Sequence, residues 1–498
     1  MEDSQDSQKA DSKEPPRYVT SVVTDERTGG VASAGFEQSP EQQQIGKPAQ
    51  GFGERENKRF AINLPKKLLL ALAAIFLILL LSIVVSRIKS GKIQFSGKKG
   101  EIVWWGIRDD AAEIGLLIEE YQKKNLGIKI TYLLQSPKDY RERLTNALAK
   151  GEGPDIFEIH NSWVVMFTNV LDVLPEPVMS SAEFSAAFYP IITKDLTTPS
   201  GIVGIPLEYD ALTLYVNEEI LATAGKTPPL SWDELRILAN DLTPQKGNTI
   251  IQSGIALGRT ENVDHWQEIL GLMMLQNRVD LLNPQGELFE DAIEFFTVFS
   301  TIDKVWSEIL PPSTVAFANA KVAMYFGPAW RANQIHEMNP NLKFKTVPLP
   351  QLRKDDPKEP NVSYATYWIE GVWKKSINKD AAWKFLKFLS EEETLKRLYE
   401  NDKKTKLVGR PYPRFNMAGL LIKDPIAGSV IALAPEAKSW FLADETNDGV
   451  NGINTQVGLV FQEAIDAIVA GEENVKGVAE ILLPDLQKVL SQYGIRVR

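Results

Sequence analysis

The rhythm of hydrophobic and polar positions changes sharply along this chain. Residues 1–63 are rich in Ser, Gln, Glu, Asp, Gly and Pro with few large apolar side chains, a composition that cannot offset the entropy of folding and predicts a disordered tail. Leu68–Val85 is then an uncharged run of 18 residues, which at ~1.5 Å per residue spans a hydrocarbon core of ~30 Å. A core helix of that length would show a polar face, and a secretory signal would end in a small-x-small site where this chain has Ser86-Arg87-Ile88-Lys89. Residues 64–88 therefore read as an uncleaved transmembrane helix, and residues 89–99 as a Lys, Gly and Ser linker.

From Glu101 the pattern alternates. Ile102–Trp105 reads as a strand, Ala111–Lys124 as a helix with Ile114, Leu117, Ile118 and Tyr121 on one face, and Ile128–Leu134 as a strand again. Tyr140–Lys150 is a second helix and Ile156–Ile159, after the turn Gly151–Pro154, a third, buried strand. Strand, helix, strand, helix, strand predicts a mostly parallel α/β sheet, whose ligands bind beyond the carboxyl ends of the strands. That rule makes the segments after Trp105 and Ile159 candidate binding loops. Trp105 is the better cleft candidate of the Trp104–Trp105 pair, Arg108 and Asp109 follow it, and His160, Asn161 and Trp163 follow the third strand, with a core position for Trp163 left open. Ile205–Asn217 reads as one long strand, Ser231 and Glu234 as a capping box opening a helix, and the stretch to Asn341 as mainly helical. Lys343–Pro350 is expected to cross between lobes, and helices are predicted at Ala381–Leu389, Val457–Val469 and Val475–Tyr493.

Length, composition and charge narrow the chemistry. A chain of 498 residues is too long for one core. A net charge of −10 argues against a nucleic-acid partner, since such binding rests on Lys and Arg neutralising phosphates. The absence of cysteine removes disulfides, thiolate nucleophiles, Cys-ligated zinc and a lipidated cysteine together. His160, His265 and His336 have no metal-ligand spacing, and Walker, dinucleotide and Gly-x-Ser-x-Gly motifs are missing, so we expect no metal, no cofactor and no enzyme activity. The carboxylate pairs Asp109–Asp110 and Glu208–Asp210 leave a glycosidase open, because two acidic groups at ~5–10 Å suffice for that chemistry. Eleven tryptophans favour sugar, whose apolar ring faces stack on indole. Asp444–Gly449 resembles a calcium loop only faintly, without the twelfth-position Glu, and reads better as a helix-entry loop.

Five blocks in order carry a family resemblance: Ile102–Tyr121, Gly151–Trp163, Gly201–Leu235, Phe317–Trp330 and Ser376–Leu389. Together they resemble the extracellular solute-binding proteins of ABC importers, the maltose-binding-protein-like group, over roughly the last four fifths of the chain. The resemblance implies a periplasmic-binding-protein-like (type II) fold of two α/β lobes on a hinge. Lobe 1 would hold residues 100–207 and 346–390, lobe 2 residues 208–345 and 391–498, and Ile205–Asn217 would link them. It adds Tyr209, Asp210, Trp266, Trp330 with Arg331, Tyr364 and Tyr367 as ligand contacts, Asp210 having a hinge hydrogen bond as its alternative role. The chain departs from the family at Val216-Asn217, where a Tyr-Asn pair is usual, and at Gly458, where relatives place a late aromatic.

The resemblance also implies a role, that of a monomeric solute-binding subunit. It would capture a sugar or oligosaccharide and present it to ABC permease subunits, held at the cell membrane by its single helix in place of a lipidated cysteine. Flanking charge barely orients that helix, with Lys47, Arg55, Lys58, Arg59, Lys66 and Lys67 upstream and Arg87, Lys89, Lys92, Lys98 and Lys99 downstream. The family role sets the tail in the cytoplasm and the large domain outside. A ligand-binding receptor ectodomain, a carbohydrate-processing enzyme, and a carrier for a polyol, peptide, glycerophosphodiester or polyamine stay open.

Overall fold

A computed structural model describes residues 98–109, 111–247, 249–354, 356 and 358–496. The expected tail, membrane helix and all but the end of the linker lie outside the described residues. Among the described residues no helix is long and apolar enough to cross a membrane.

Among the same residues, nine strands form two main sheets. They are β1 (Glu101–Gly106), β2 (Lys129–Leu134), β3 (Ile156–His160), β4 (Gly204–Ile205), β5 (Leu212–Asn217), β6 (Ser253–Ile255), β7 (Val322–Pro328), β8 (Phe344–Val347) and β9 (Trp368–Val372). The first sheet has the order β2-β1-β3-β9-β4 and the second β6-β7-β5-β8. As the periodicity predicts, β1 pairs in parallel with both β2 and β3. The intervening helix Ala111–Lys124 buries Ile114, Leu117, Ile118 and Tyr121. β9 runs antiparallel to β3 and β4, so the sheet is mixed. β5 and β7 are buried at every position, as strands covered on both faces should be.

The crossings between the sheets differ from the sequence reading in three ways. The expected long strand Ile205–Asn217 is broken: β4 ends in the first sheet, Pro206 follows with no N–H to donate to a ladder, and β5 starts in the second sheet at Leu212. β8 pairs along its whole length with β5, so the chain returns after it rather than at residue 346. The return lies at residues 365–367, where Ala365 bridges Ala211 and the Thr366 N–H donates to the Asp210 carbonyl at 3.0 Å. A third strand of chain joins there, the Tyr209 N–H donating to the Pro411 carbonyl at 2.9 Å. Helix Glu392–Asp402, expected in lobe 2, packs on the first-sheet helix Ala111–Lys124, with Arg397 paired to Glu120 and Asn401 donating to the Glu113 carbonyl at 3.3 Å.

Local rules hold where contacts are local. Ser231 accepts the Glu234 N–H at 3.2 Å and caps helix Trp232–Asp241, while Glu234 reaches one residue further back than a capping box requires, to the Leu230 N–H at 2.7 Å. Asp448 accepts from Asn454 N–H at 2.7 Å and the Thr455 hydroxyl at 2.7 Å, so the Asp444–Gly449 loop serves as the entry to helix Ile453–Ala470.

Candidate functional site

β1, β3 and β7 deliver their carboxyl ends, and β5 and β9 their amino ends, to a cavity of about 440 Å³ between the two sheets. This explains the reversed strand: β9 enters its sheet from the cavity side, coming from the crossing at 365–367.

Arg108, just beyond β1, is held at Nε by Glu158 Oε1 (2.6 Å) and at Nη1 by Glu208 Oε1 (2.5 Å). Its guanidinium lies 5.3 Å from the ring centroid of Trp368, within reach of a cation–π contact. Asp109 is buried and takes Nη1 of Arg410 at 2.8 Å, while Asp402 binds the same guanidinium at Nε (2.7 Å) and Nη2 (2.8 Å). Burial opposes ionisation of Asp109, but the Arg410 and Arg108 guanidinium groups hold its carboxyl below the usual range. Beneath Arg108, Glu158 and Glu370 are cross-strand neighbours, both almost fully buried. Burial raises both, Glu370 the more, its carboxyl accepting Trp104 Nε1–H at 2.7 Å.

His160 closes β3 with Nδ1 2.7 Å from the Ser162 hydroxyl and Nε2 3.0 Å from that of Thr366. Burial, helped by the charge of Arg108, lowers its pKa to about 3, so the ring is neutral. Asp210, at the first crossing, accepts Ala211 N–H (2.7 Å), Ala329 N–H (2.9 Å) and Trp330 N–H (3.0 Å). It thereby ties the crossing to the end of β7, and burial lifts its carboxyl to about 7 against the pull of those N–H groups.

Trp330, 38% exposed, is the most accessible aromatic on the cavity wall. Arg331 is buried beside it, its guanidinium 4.3 Å from the indole centroid and bonded to His265, Gln334 and Glu445. Arg331 Nε donates to His265 Nε2 at 2.8 Å. Burial opposes a second proton on that imidazole and the charge of Glu268 favours one, raising its pKa, but the Arg331 N–H occupies the lone pair such a proton would take. We assign the neutral ring.

Of the residues singled out from the sequence, Arg108, Asp109, His160, Asp210 and Trp330 line the cavity. The others do not. Trp105 is buried because both faces of its sheet are covered, and Trp163, in the short turn after β3, packs inward against Tyr140 and Trp368, so neither indole turns outward. Trp163 stacks on Phe167 with centroids 6.1 Å apart. Tyr209 and Tyr367 join Tyr189 in a buried cluster behind the crossings, where Tyr367 Oη and Asn161 Nδ2 both donate to Asp195 Oδ2 at 2.9 Å. Tyr364 donates to the Leu442 carbonyl at 2.7 Å and lies so close to Gly271 that a Cβ there would sit 2.6 Å from its ring. Trp266 borders a separate cavity of about 220 Å³ behind the loop 444–449. Arg331 acts through Trp330 and Glu445 and is not itself on the wall.

Sequence reasoning raised Glu208 only as half of a glycosidase pair, and missed His265, Glu268, Trp368, Arg410 and Asp444 as lining residues. Trp368 was findable, since a reversed strand brings its first residue to the site. Arg410, Glu268 and Asp444 arrive through long-range packing and carry no local signal. Among the described residues no cluster of side chains suited to a metal ion occurs.

Two α/β lobes joined by crossing segments, with a polar cavity at the junction, define a two-lobed binding protein. A family model described as bacterial extracellular solute-binding protein matches residues 117–407, more than half of the chain. The chain belongs to that family. A Brucella abortus (strain 2308) protein described as a binding protein is 22% identical over 325 residues, covering 59% of this chain and 75% of its own. An Escherichia coli (strain K12) protein described as an ABC transporter periplasmic-binding protein is 21% identical over 300 residues, covering 57% of this chain and 66% of that one. In fold, the chain is similar to a cyclo/maltodextrin-binding protein solved with maltotetraose, with a TM-score of 0.64 at 13% identity over 80% of this chain and 98% of the other.

Proposed function

We propose that this protein is the membrane-anchored, extracellular solute-binding subunit of an ABC importer, which takes a sugar or oligosaccharide into the cavity between its lobes and delivers it to the permease without chemical change. The observation that carries the reading is the exposed indole of Trp330 on a cavity wall that joins apolar residues, Trp368 and Val408 among them, to many polar and charged groups. A flat apolar face beside convergent hydrogen-bonding groups is what a pyranose ring requires. The E. coli relative's description supports the transport role, and the maltotetraose complex supports the ligand class. Trp330, Arg108, Asp109, His160 and Asp210 are the proposed contacts, Asp210 also fastening the hinge. Because ligand contacts would come from both lobes, binding would favour the closed state by its differential affinity. Residues 64–88 would hold the protein in the membrane as a single-pass monomer, with residues 1–63 cytoplasmic and the lobes outside.

A panel of monosaccharides, oligosaccharides, polyols, peptides and polyamines tested by thermal unfolding of the full chain checks this. A sugar at 100 times its dissociation constant stabilises the fold by about 2.7 kcal/mol. A shift with peptides alone, and none with any sugar, overturns the ligand class.

A further inference from the structure

The charges on the cavity wall do not balance. Eight carboxyl groups line it, of which Asp210 is only partly ionised at neutral pH, against three Arg or Lys side chains, Arg108, Lys406 and Arg410. All three cations are already engaged: Arg108 by Glu158 and Glu208, Arg410 by Asp109 and Asp402, and Lys406 by Glu113 at 2.9 Å. Glu445 has Arg331. At the end beside Trp330 the remaining carboxylates have no such partner among the described residues. Glu268 is fully buried, gives Oε1 to the Asp444 N–H at 2.8 Å, and has no hydrogen-bond partner there for Oε2. With Nε2 accepting from Arg331, the neutral His265 ring carries its hydrogen on Nδ1, which faces Oε2 at 3.6 Å, too far for a hydrogen bond, and has no partner of its own. Asp444 takes only backbone N–H groups, from His265 at 3.1 Å and Glu445 at 2.8 Å, and its Oδ2 is 4.0 Å from the same imidazole nitrogen. Were His265 to become an imidazolium it would offset one of these carboxylates, and the other would stay unmatched. The His265 ring sits edge-on to Trp330 with centroids 6.0 Å apart, which sets this acidic end beside the exposed indole.

A buried carboxylate oxygen without a donor is costly, and the cost is removed when a ligand supplies the donor. We propose that the solute bears a protonated amine: an amino sugar, or an oligosaccharide containing one, whose ring lies on Trp330 and whose ammonium is held between Glu268 and Asp444. The same charge imbalance disfavours uronic acids and sugar phosphates. This rests on the cavity binding sugar, as proposed above.

The test compares glucosamine and its β-1,4-linked dimer with the N-acetylated and hydroxyl counterparts, and with spermidine, by calorimetric titration of the full chain. The expected result is at least tenfold tighter binding of the free amine than of either neutral counterpart, weakening with added salt. Glu268→Gln and Asp444→Asn should each shrink the preference for free amine over N-acetyl sugar, read as the ratio of the two affinities within each variant, to less than threefold. Equal or tighter binding of the neutral sugars overturns the amine inference and leaves the sugar-binding role standing. Spermidine binding with no sugar binding overturns both. The wild-type comparison decides the matter even if a variant fails to fold.

Discussion

The cavity's two walls carry similar residue types in opposite states. On the first-sheet side, Arg108, Asp109, Asp402 and Arg410 form a closed set of ion pairs anchored on buried Glu158. On the second-sheet side, Glu268 and Asp444 stand without an Arg or Lys partner among the described residues, beside the exposed Trp330. A charged residue at a cleft is thus not by itself a free contact. The first wall's charges hold one another and meet a ligand in positions their ion pairs already fix, whereas the second wall's carboxylates have no side-chain cation of their own.

Breaking the first wall's ion pairs should have a larger effect than any change on the second wall. Arg410→Ala leaves Asp109 and Asp402 buried without their partner and should lower unfolding free energy by about 3–5 kcal/mol, read by urea denaturation. A loss below about 1 kcal/mol would mean the wall is not held by its ion pairs.

His160 gives a pH test of the same side. Its pKa falls from 6.5 to about 3 on folding, so between those values the unfolded chain binds more protons and stability is lost as pH drops, by up to about 1.4 kcal/mol per unit. His160→Gln should flatten the acid limb of the stability profile over that window. An unchanged limb would show that the ring is not held neutral.

On the second wall, Trp330→Ala should cost about 1 kcal/mol or less in stability, because its indole is already 38% exposed. The fully buried Trp163, replaced the same way, should cost about 3–5 kcal/mol. The smallest effect is expected at the exposed Glu337, also on the cavity wall, where Glu337→Gln should leave stability within about 0.5 kcal/mol.

The first three strands and their helices were readable because their periodicity and turns are local. Asp210 and Trp330 came from the family resemblance, and the structure puts both on the cavity wall, next to the start of β5 and the end of β7. Trp105, Trp163, Tyr209, Tyr364 and Tyr367 lie off the cavity, since an aromatic on a covered strand, in the turn after one or in a crossing segment has the same local pattern whether it faces a cleft or a core. The crossings were misplaced because an apolar run does not reveal which sheet it joins, as β8 shows. Glu268 and Asp444 meet only through packing between distant segments, which no local spacing records.

The most direct test of sugar binding at the Trp330 wall is a tryptophan-fluorescence titration of the full chain and of its Trp330→Ala variant, using the sugar that gives the largest thermal shift. A saturable change that needs at least tenfold more sugar in the variant, with its circular dichroism unchanged, is the predicted result. The same midpoint in both proteins would place the ligand elsewhere and contradict sugar binding at this wall.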